Sequence, residues 1–229
     1  MLKLKENTGC YATPFHRELL IRIFDNETIK NNFFLTGGTA LSVFYLHHRI
    51  SIDLDLFTTK QMPLSDINLW ITRNWPGGSK IINQSEFILQ LLIKNIKVDI
   101  VYDPLSFDEP REKYFLDENK FVSIDTLRNI VSNKLAALVS RREIKDLLDF
   151  FFLSKKIKNM DFDVIYANAR KKEGMFDDPP TVSYQLEANV EFVKENPEII
   201  PETLNRLDTN EFYAFYEKLI DKIYHYKTS

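Results

Sequence analysis

Phe33-Phe34-Leu35-Thr36-Gly37-Gly38-Thr39-Ala40-Leu41, followed at once by Arg49-x-Ser51-x-Asp53-Leu54-Asp55-Leu56-Phe57, organises the rest of the chain. Phe33 to Leu35 reads as a buried strand that Gly37-Gly38 breaks. Thr39 to Tyr45 then reads as a short helix. Glycines at the opening of a helix present backbone N–H groups and the positive end of the dipole to an anion, and the Thr39 hydroxyl adds a donor. Ile52 to Phe57 alternates as a strand, so Asp53 and Asp55 share a face, roughly 6.5–7 Å apart along the backbone. Leu54 and Leu56 turn the other way, into a core. Two carboxylates on one face suit hard cations such as Mg²⁺, which take oxygen ligands and share them with substrate phosphates. The combination is equipment for a nucleoside triphosphate and its metal ions.

A second Asp-x-Asp, Asp161-Phe162-Asp163, shows how little the spacing means alone. It has no glycine turn before it and no alternation around it, and it reads as the acidic opening of a helix.

The 229 residues are enough for one large domain or two small ones, with an ordinary charged content of 28%. The single Cys10 excludes an internal disulfide and suits a reducing compartment. Met1 to Asn7 lacks the apolar stretch of a secretion signal, and no segment is apolar enough to span a membrane, which predicts a cytoplasmic protein. The net charge of −3 gives no overall nucleic-acid signature. Its distribution is uneven: Asp125 to Lys158 holds eight Lys/Arg against four Asp/Glu, whereas Asn159 to the end holds eight against fourteen. A basic middle suits an RNA backbone or a triphosphate, although solvated helix faces give similar counts.

Thr13-Pro14 starts a helix whose apolar stripe is expected to reach about Lys30. Ser65 to Trp75 is a further helix. Strands follow at Lys80–Asn83, Phe87–Ile93 and Ile96–Tyr102, the last two joined as a hairpin through Lys94-Asn95. Pro104 to Lys120 reads as charged and irregular. Asp125 is expected to cap a helix to Ser140, followed by helices over Glu143–Leu153, Asp161–Lys172, Val182–Lys194, Pro201–Leu207 and Glu211–Tyr226. The fold class is therefore α+β: a mixed β-sheet core with flanking helices, then a mostly helical C-terminal half. The division falls at 1–120 and 121–229.

Two further constellations carry chemistry. In Lys97-Val98-Asp99-Ile100 the alternation turns Asp99 away from Val98 and Ile100. Beside the strand of Asp53 and Asp55, it makes a third carboxylate, enough for two metals roughly 3.5–4 Å apart; on its own it would be the polar face of a hairpin. Lys134 sits beside Ala137 and Leu138, and Asp146 and Asp149 share a face of the next helix. Lys134 reads equally as a triphosphate contact or a solvated charge, and Arg142–Asp146 as an ordinary ion pair at four residues' spacing. His47-His48 projects to different sides and does not read as a zinc pair. No P-loop, dinucleotide fingerprint or Ser-His-Asp order is present.

Taken together, Thr36-Gly37-Gly38-Thr39-Ala40-Leu41, the Arg49 to Phe57 segment, Lys97-Val98-Asp99-Ile100 and Lys134 through Asp149 resemble the AbiEii/AbiGii-type nucleotidyltransferase toxins. These belong to the DNA polymerase β-like superfamily. The resemblance covers roughly residues 14–153, with Gly-Thr at Gly38-Thr39 where many superfamily members have Gly-Ser. It implies a nucleotidyltransferase-type sheet core and Mg²⁺-dependent transfer of a nucleoside monophosphate from an NTP to an acceptor hydroxyl. By position it makes Asp53 and Asp55 metal ligands, Asp99 the third carboxylate, and Gly37, Gly38, Thr39, Arg49 and Ser51 the nucleotide-binding segment. Lys134 would meet the triphosphate, and Asp146 or Asp149 would be the distal acidic residue. The implied acceptor is a tRNA 3′ end or a protein, and the implied partner an antitoxin protein. The same residues leave open a small-molecule nucleotidyltransferase, a nucleotide-binding regulatory protein that transfers nothing, and a metal-dependent nuclease.

Overall fold

The computed structural model describes residues 3–157 and 161–227. It divides into two compact units, Met1–Asn129 and Ile130–Ser229.

In the first unit Thr13 caps α1 (Pro14–Ile23) by accepting the His16 N–H. The expected single helix to Lys30 is two: Asn26 accepts the Ile29 N–H and starts a separate helix, α2 (Glu27–Asn32). A short amide side chain competes for backbone donors in this way and resets the chain direction. The strands are β1 (Phe34–Thr36), β2 (Asp53–Thr58), β3 (Ser79–Gln84), β4 (Ile88–Ile93), β5 (Ile96–Tyr102), β6 (Glu112–Asp117) and β7 (Lys120–Ile124), in sheet order β3-β4-β5-β2-β1-β7-β6. After β1 the turn α3 (Gly37–Thr39) continues as a π-helix, Ala40–Leu46, which ends where His47 turns left-handed. Helix α4 (Leu64–Asn74) precedes β3.

The sheet is mixed because β2 runs antiparallel to β1 but parallel to β5. Lys94 and Asn95 both take positive φ, the backbone that a tight two-residue hairpin demands. Pro104 to Arg111 is irregular as expected, but the rest of that stretch holds strand β6 and, at Lys120, the start of β7. β6 lies at the end of the sheet and is mostly exposed, so its residues were free to be charged and gave no apolar alternation. Leu54, Leu56, Leu89, Leu91, Val98 and Ile100 are buried from one face of the sheet. The opposite face presents Asp53, Asp55, Gln90, Lys97 and Asp99 half-buried.

Helix α5 (Leu127–Ser140) begins in the first unit and continues into the second, where α6 (Ile144–Lys156), α7 (Phe162–Lys172), α8 (Pro179–Glu195) and α9 (Thr209–Tyr224) follow. Asp161 caps α7 by accepting the Val164 N–H, so the second Asp-x-Asp is a helix opening. Residues 201–207, expected as a helix, are not helical. The segment is short and buries no side chain, and a helix of that length has little to hold it without a packed face. Part of the phenylalanine content goes into one cluster: Phe151 meets Phe212 and Phe215 edge-on, and Tyr216 donates from its buried hydroxyl to the Leu147 carbonyl at 2.6 Å.

Candidate active site

Strand register builds the site in the first unit. Asp55 on β2 stands opposite Asp99 on β5 and Thr36 on β1, while Asp53 stands opposite Lys97. Neighbouring strands lie about 4.8 Å apart, so three carboxylates and one ammonium occupy adjacent positions on one face. Gln90 on β4 stands opposite Asp99 and extends the row.

The glycine turn rests directly against this row. A Cβ at Gly37 would lie 2.0 Å from Asp55 Oδ2, and φ there is +64°. One at Gly38 would lie 2.6 Å from Arg49 Nη2. Gly37 needs to be glycine, because its backbone is left-handed and a Cβ there would run into the Asp55 side chain down to its Cβ; at Gly38 a side chain would press on the Arg49 guanidinium. Arg49 is buried and donates from Nη1 to the Ile50 carbonyl at 3.0 Å. Thr39 and Ser51 are buried as well. Their hydroxyls share a hydrogen bond at 2.8 Å, and Thr39 also donates to the Asp53 carbonyl. Those hydroxyls fasten the helix after the turn to the start of β2, so of this segment it is the turn backbone that lies against the carboxylates.

Lys97 is the residue that sequence reasoning passed over. Its Nζ lies 2.8 Å from Asp99 Oδ2, and Gln90 Nε2 donates to Asp99 Oδ1 at 3.2 Å. Burial lowers the Lys97 pKa, but the carboxylates of Asp99, Asp53 and Asp55 outweigh it and hold the ammonium above its ordinary value. The signal was available: Lys97 has the same strand parity as Asp99, so alternation puts both on one face.

Asp125 does not cap α5. Thr126 does, accepting the Asn129 N–H at 3.3 Å. Asp125 is buried and accepts from Thr36 Oγ1 at 2.7 Å, Asn129 Nδ2 at 2.7 Å, the Thr126 N–H at 2.9 Å and Arg111 Nε at 3.3 Å. Burial pushes its carboxyl above the ordinary value in spite of these donors. It thereby fastens Thr36, the last residue of β1, immediately before Gly37.

The second unit gathers the other predicted residues. Lys134 Nζ lies 2.7 Å from Asp146 Oδ1 and 2.5 Å from Asp149 Oδ2, with all three side chains buried. Lys134 is therefore not a solvated charge. Arg141, rather than Arg142, pairs with Asp146, at 2.7 Å from Nε and 3.1 Å from Nη2. Arg142 instead donates to Asn189 Oδ1 at 3.2 Å and lies 5.6 Å from the centre of the Phe192 ring. Four-residue spacing failed because residues 141–143 lie between helices, where helical periodicity does not apply. Burial pushes the Asp146 carboxyl up, but Lys134 and Arg141 pull harder and hold it below the ordinary carboxylate value.

Among the described residues no three His, Cys, Asp or Glu side chains form a ready-made metal cage. The hard oxygen donors of Asp53 and Asp55 nevertheless fit Mg²⁺, which is usually held by one or two carboxylates and completed by substrate phosphates and water. Among the same residues no helix is long and apolar enough to cross a membrane.

A mixed sheet of this order, with the carboxylate strand between the glycine-turn strand and a parallel neighbour, is the core of a nucleotidyltransferase fold. Residues 18–222 match the family described as "Nucleotidyl transferase AbiEii toxin, Type IV TA system", and the chain belongs to that family. It is 31% identical over 154 residues to the uncharacterized protein aq_aa25 of Aquifex aeolicus (strain VF5), covering 60% of this chain and 72% of that one. JHP933 from Helicobacter pylori has a similar structure, with a TM-score of 0.50 at 20% identity, covering 96% of this chain and 94% of that one. MenT4, a nucleotidyltransferase toxin from Mycobacterium tuberculosis H37Rv, gives a TM-score of 0.50 at 17% identity, covering 69% of this chain and 62% of that one. Family membership makes the chain an enzyme of the nucleotidyltransferase class.

Proposed function

We propose that this protein moves a nucleoside monophosphate from an NTP to an acceptor hydroxyl on tRNA or on a protein, as the cytoplasmic toxin of a pair restrained by a cognate antitoxin protein. The observation that carries this reading is Asp55, seated on the Gly37 backbone with Asp53 beside it and Asp99 across from it in register. The toxin assignment draws on the family's description.

In this reading Asp53 and Asp55 hold Mg²⁺, and the Gly37-Gly38 backbone receives the phosphates. When bound, the metal ion neutralises triphosphate charge and steadies the departing pyrophosphate. The acceptor oxygen attacks the α-phosphorus, the bond to pyrophosphate breaks, and the acceptor's proton passes to Asp99. Arg49, filling the space beside Gly38, keeps positive charge behind the turn. In the second unit, Asp146 and Asp149 fix the buried Lys134 ammonium.

The test is incubation with each α-³²P-labelled NTP, Mg²⁺ and total tRNA, in parallel with Asp55→Asn. Label should appear on tRNA or on protein, with pyrophosphate released, and should fall by about three orders of magnitude in the variant. Near-normal labelling by Asp55→Asn would sink the metal assignment. Shortened RNA without label would indicate a nuclease, and label on neither macromolecule with any NTP would overturn the acceptor assignment.

A further inference from the structure

On the active face, Asp99 is paired with a cation from its own strand. Lys97 Nζ takes Oδ2 at 2.8 Å, and Gln90 Nε2 takes Oδ1 at 3.2 Å. A divalent ion bound to Asp99 Oδ2 would sit at about 2.1 Å from that oxygen, close beside the ammonium. Like charges at such a distance repel strongly wherever the dielectric is below that of water. The ammonium and a second divalent ion are therefore alternatives at Asp99.

Lys97 is also able to leave. Its side chain is 41% exposed, against 15% for Asp99, and its long stem gives the ammonium a path to solvent. In register it stands opposite Asp53, one of the two carboxylates assigned to the first metal ion.

We propose that Lys97 is a tethered cation standing in the place of a second divalent ion at Asp99. The resting site takes one ion through Asp53 and Asp55, and a second enters only when Lys97 releases Asp99. This rests on the metal reading given above and adds to it a control: the protein's demand for divalent ion is set by one lysine.

The experiment counts bound Mn²⁺, not product. Free Mn²⁺ is followed by its electron paramagnetic resonance signal during titration of the protein saturated with a non-hydrolysable NTP analogue. Wild type should retain one ion per complex over the range in which Lys97→Gln retains two. The second ion should bind about tenfold or more tightly in Lys97→Gln than in wild type. Lys97→Arg should restore the wild-type curve, and adding Asp99→Asn to Lys97→Gln should abolish the gain. Lys97→Met gives an independent neutral replacement, and thermal melting establishes that each variant is folded. Superimposable curves for wild type and both neutral variants would overturn the proposal. Failure of the underlying metal reading looks different: Asp55→Asn would then bind as much Mn²⁺ as wild type, whatever residue stands at 97.

Discussion

Two groupings in this molecule use the same parts, a lysine among aspartates, and differ in how much water reaches them. In the first unit, Lys97 and Asp99 keep 41% and 15% of their side-chain exposure; in the second, Lys134 and Asp149 keep 6% and 0%. A buried pair has paid its desolvation on folding, and removing one partner strands a charge with nothing to neutralise it. A half-exposed pair can trade its partner for water, a metal ion or a substrate at small cost. The difference teaches that the pair on the sheet face is open to exchange with its surroundings, whereas the helical cluster holds its lysine in one place.

The sharpest break of that comparison comes from removing each lysine. Lys134→Met leaves Asp149 without its buried cation and Asp146 with Arg141 alone, and should cost about 3–5 kcal/mol in urea denaturation. Lys97→Met should cost less than about 1 kcal/mol by the same measurement. Equal losses would erase the distinction between the two sites. Gly37→Ala tests the sheet face from the turn side. The new methyl must displace the Asp55 carboxylate and hold a positive φ, so activity should fall by about a hundredfold. Unfolding should be easier by only about 1 kcal/mol. Activity within a factor of three of wild type would show that Asp55 does not need its seat on the turn.

The smallest effect is on pH dependence. Asp146 has a folded pKa below its ordinary value of 3.8, so its contribution to stability is present above that value and lost as pH falls through the lowered one. Denaturation midpoints should therefore not vary on account of this group between about pH 7 and 5, where its contribution is constant, and should fall below about pH 4. Asp146→Asn should flatten that acid limb. Asp125 has the opposite sign: its folded pKa is raised, so its contribution is complete below 3.8 and is lost as pH rises through the higher value. A midpoint that rose steadily as pH fell from 5 to 3 would mean that Asp125 outweighs Asp146.

Local signals carried the strand–turn–helix around Gly37, the shared face of Asp53 and Asp55, the Lys94-Asn95 hairpin and the cap at Asp161. Each depends on residues a few positions apart, where alternation, turn chemistry and capping are legible. The pairing of Asp55 with Asp99 was a conditional expectation, because nothing local says that β2 and β5 are neighbours. Asp125 illustrates the limit better. Its type and position suit a helix cap, but the fold puts β7 beside β1 and Thr36 within its reach, and a longer-range hydrogen bond wins. Arg141 and Arg142 exchanged roles because the chain between α5 and α6 is not helical. Only Lys97 was a misreading of what the sequence offered, since its parity with Asp99 needed no structure.

The sheet has two ends, and they are defended unequally. β6 carries Glu112, Lys113 and Asp117 along its length, so a second strand approaching it meets charges of both signs. β3 carries Lys80 at its start, then Ile81 and Ile82, 45% and 52% exposed, with uncharged Asn83 and Gln84 beyond. Its chief protection is the break in register with β4 between Ile81 and Asn83, which bends the edge away from a flat template. Were the protein to self-associate by strand addition in concentrated solution, β3 is the edge at which we expect it to start, and a charged residue in place of Ile82 is the change expected to oppose it.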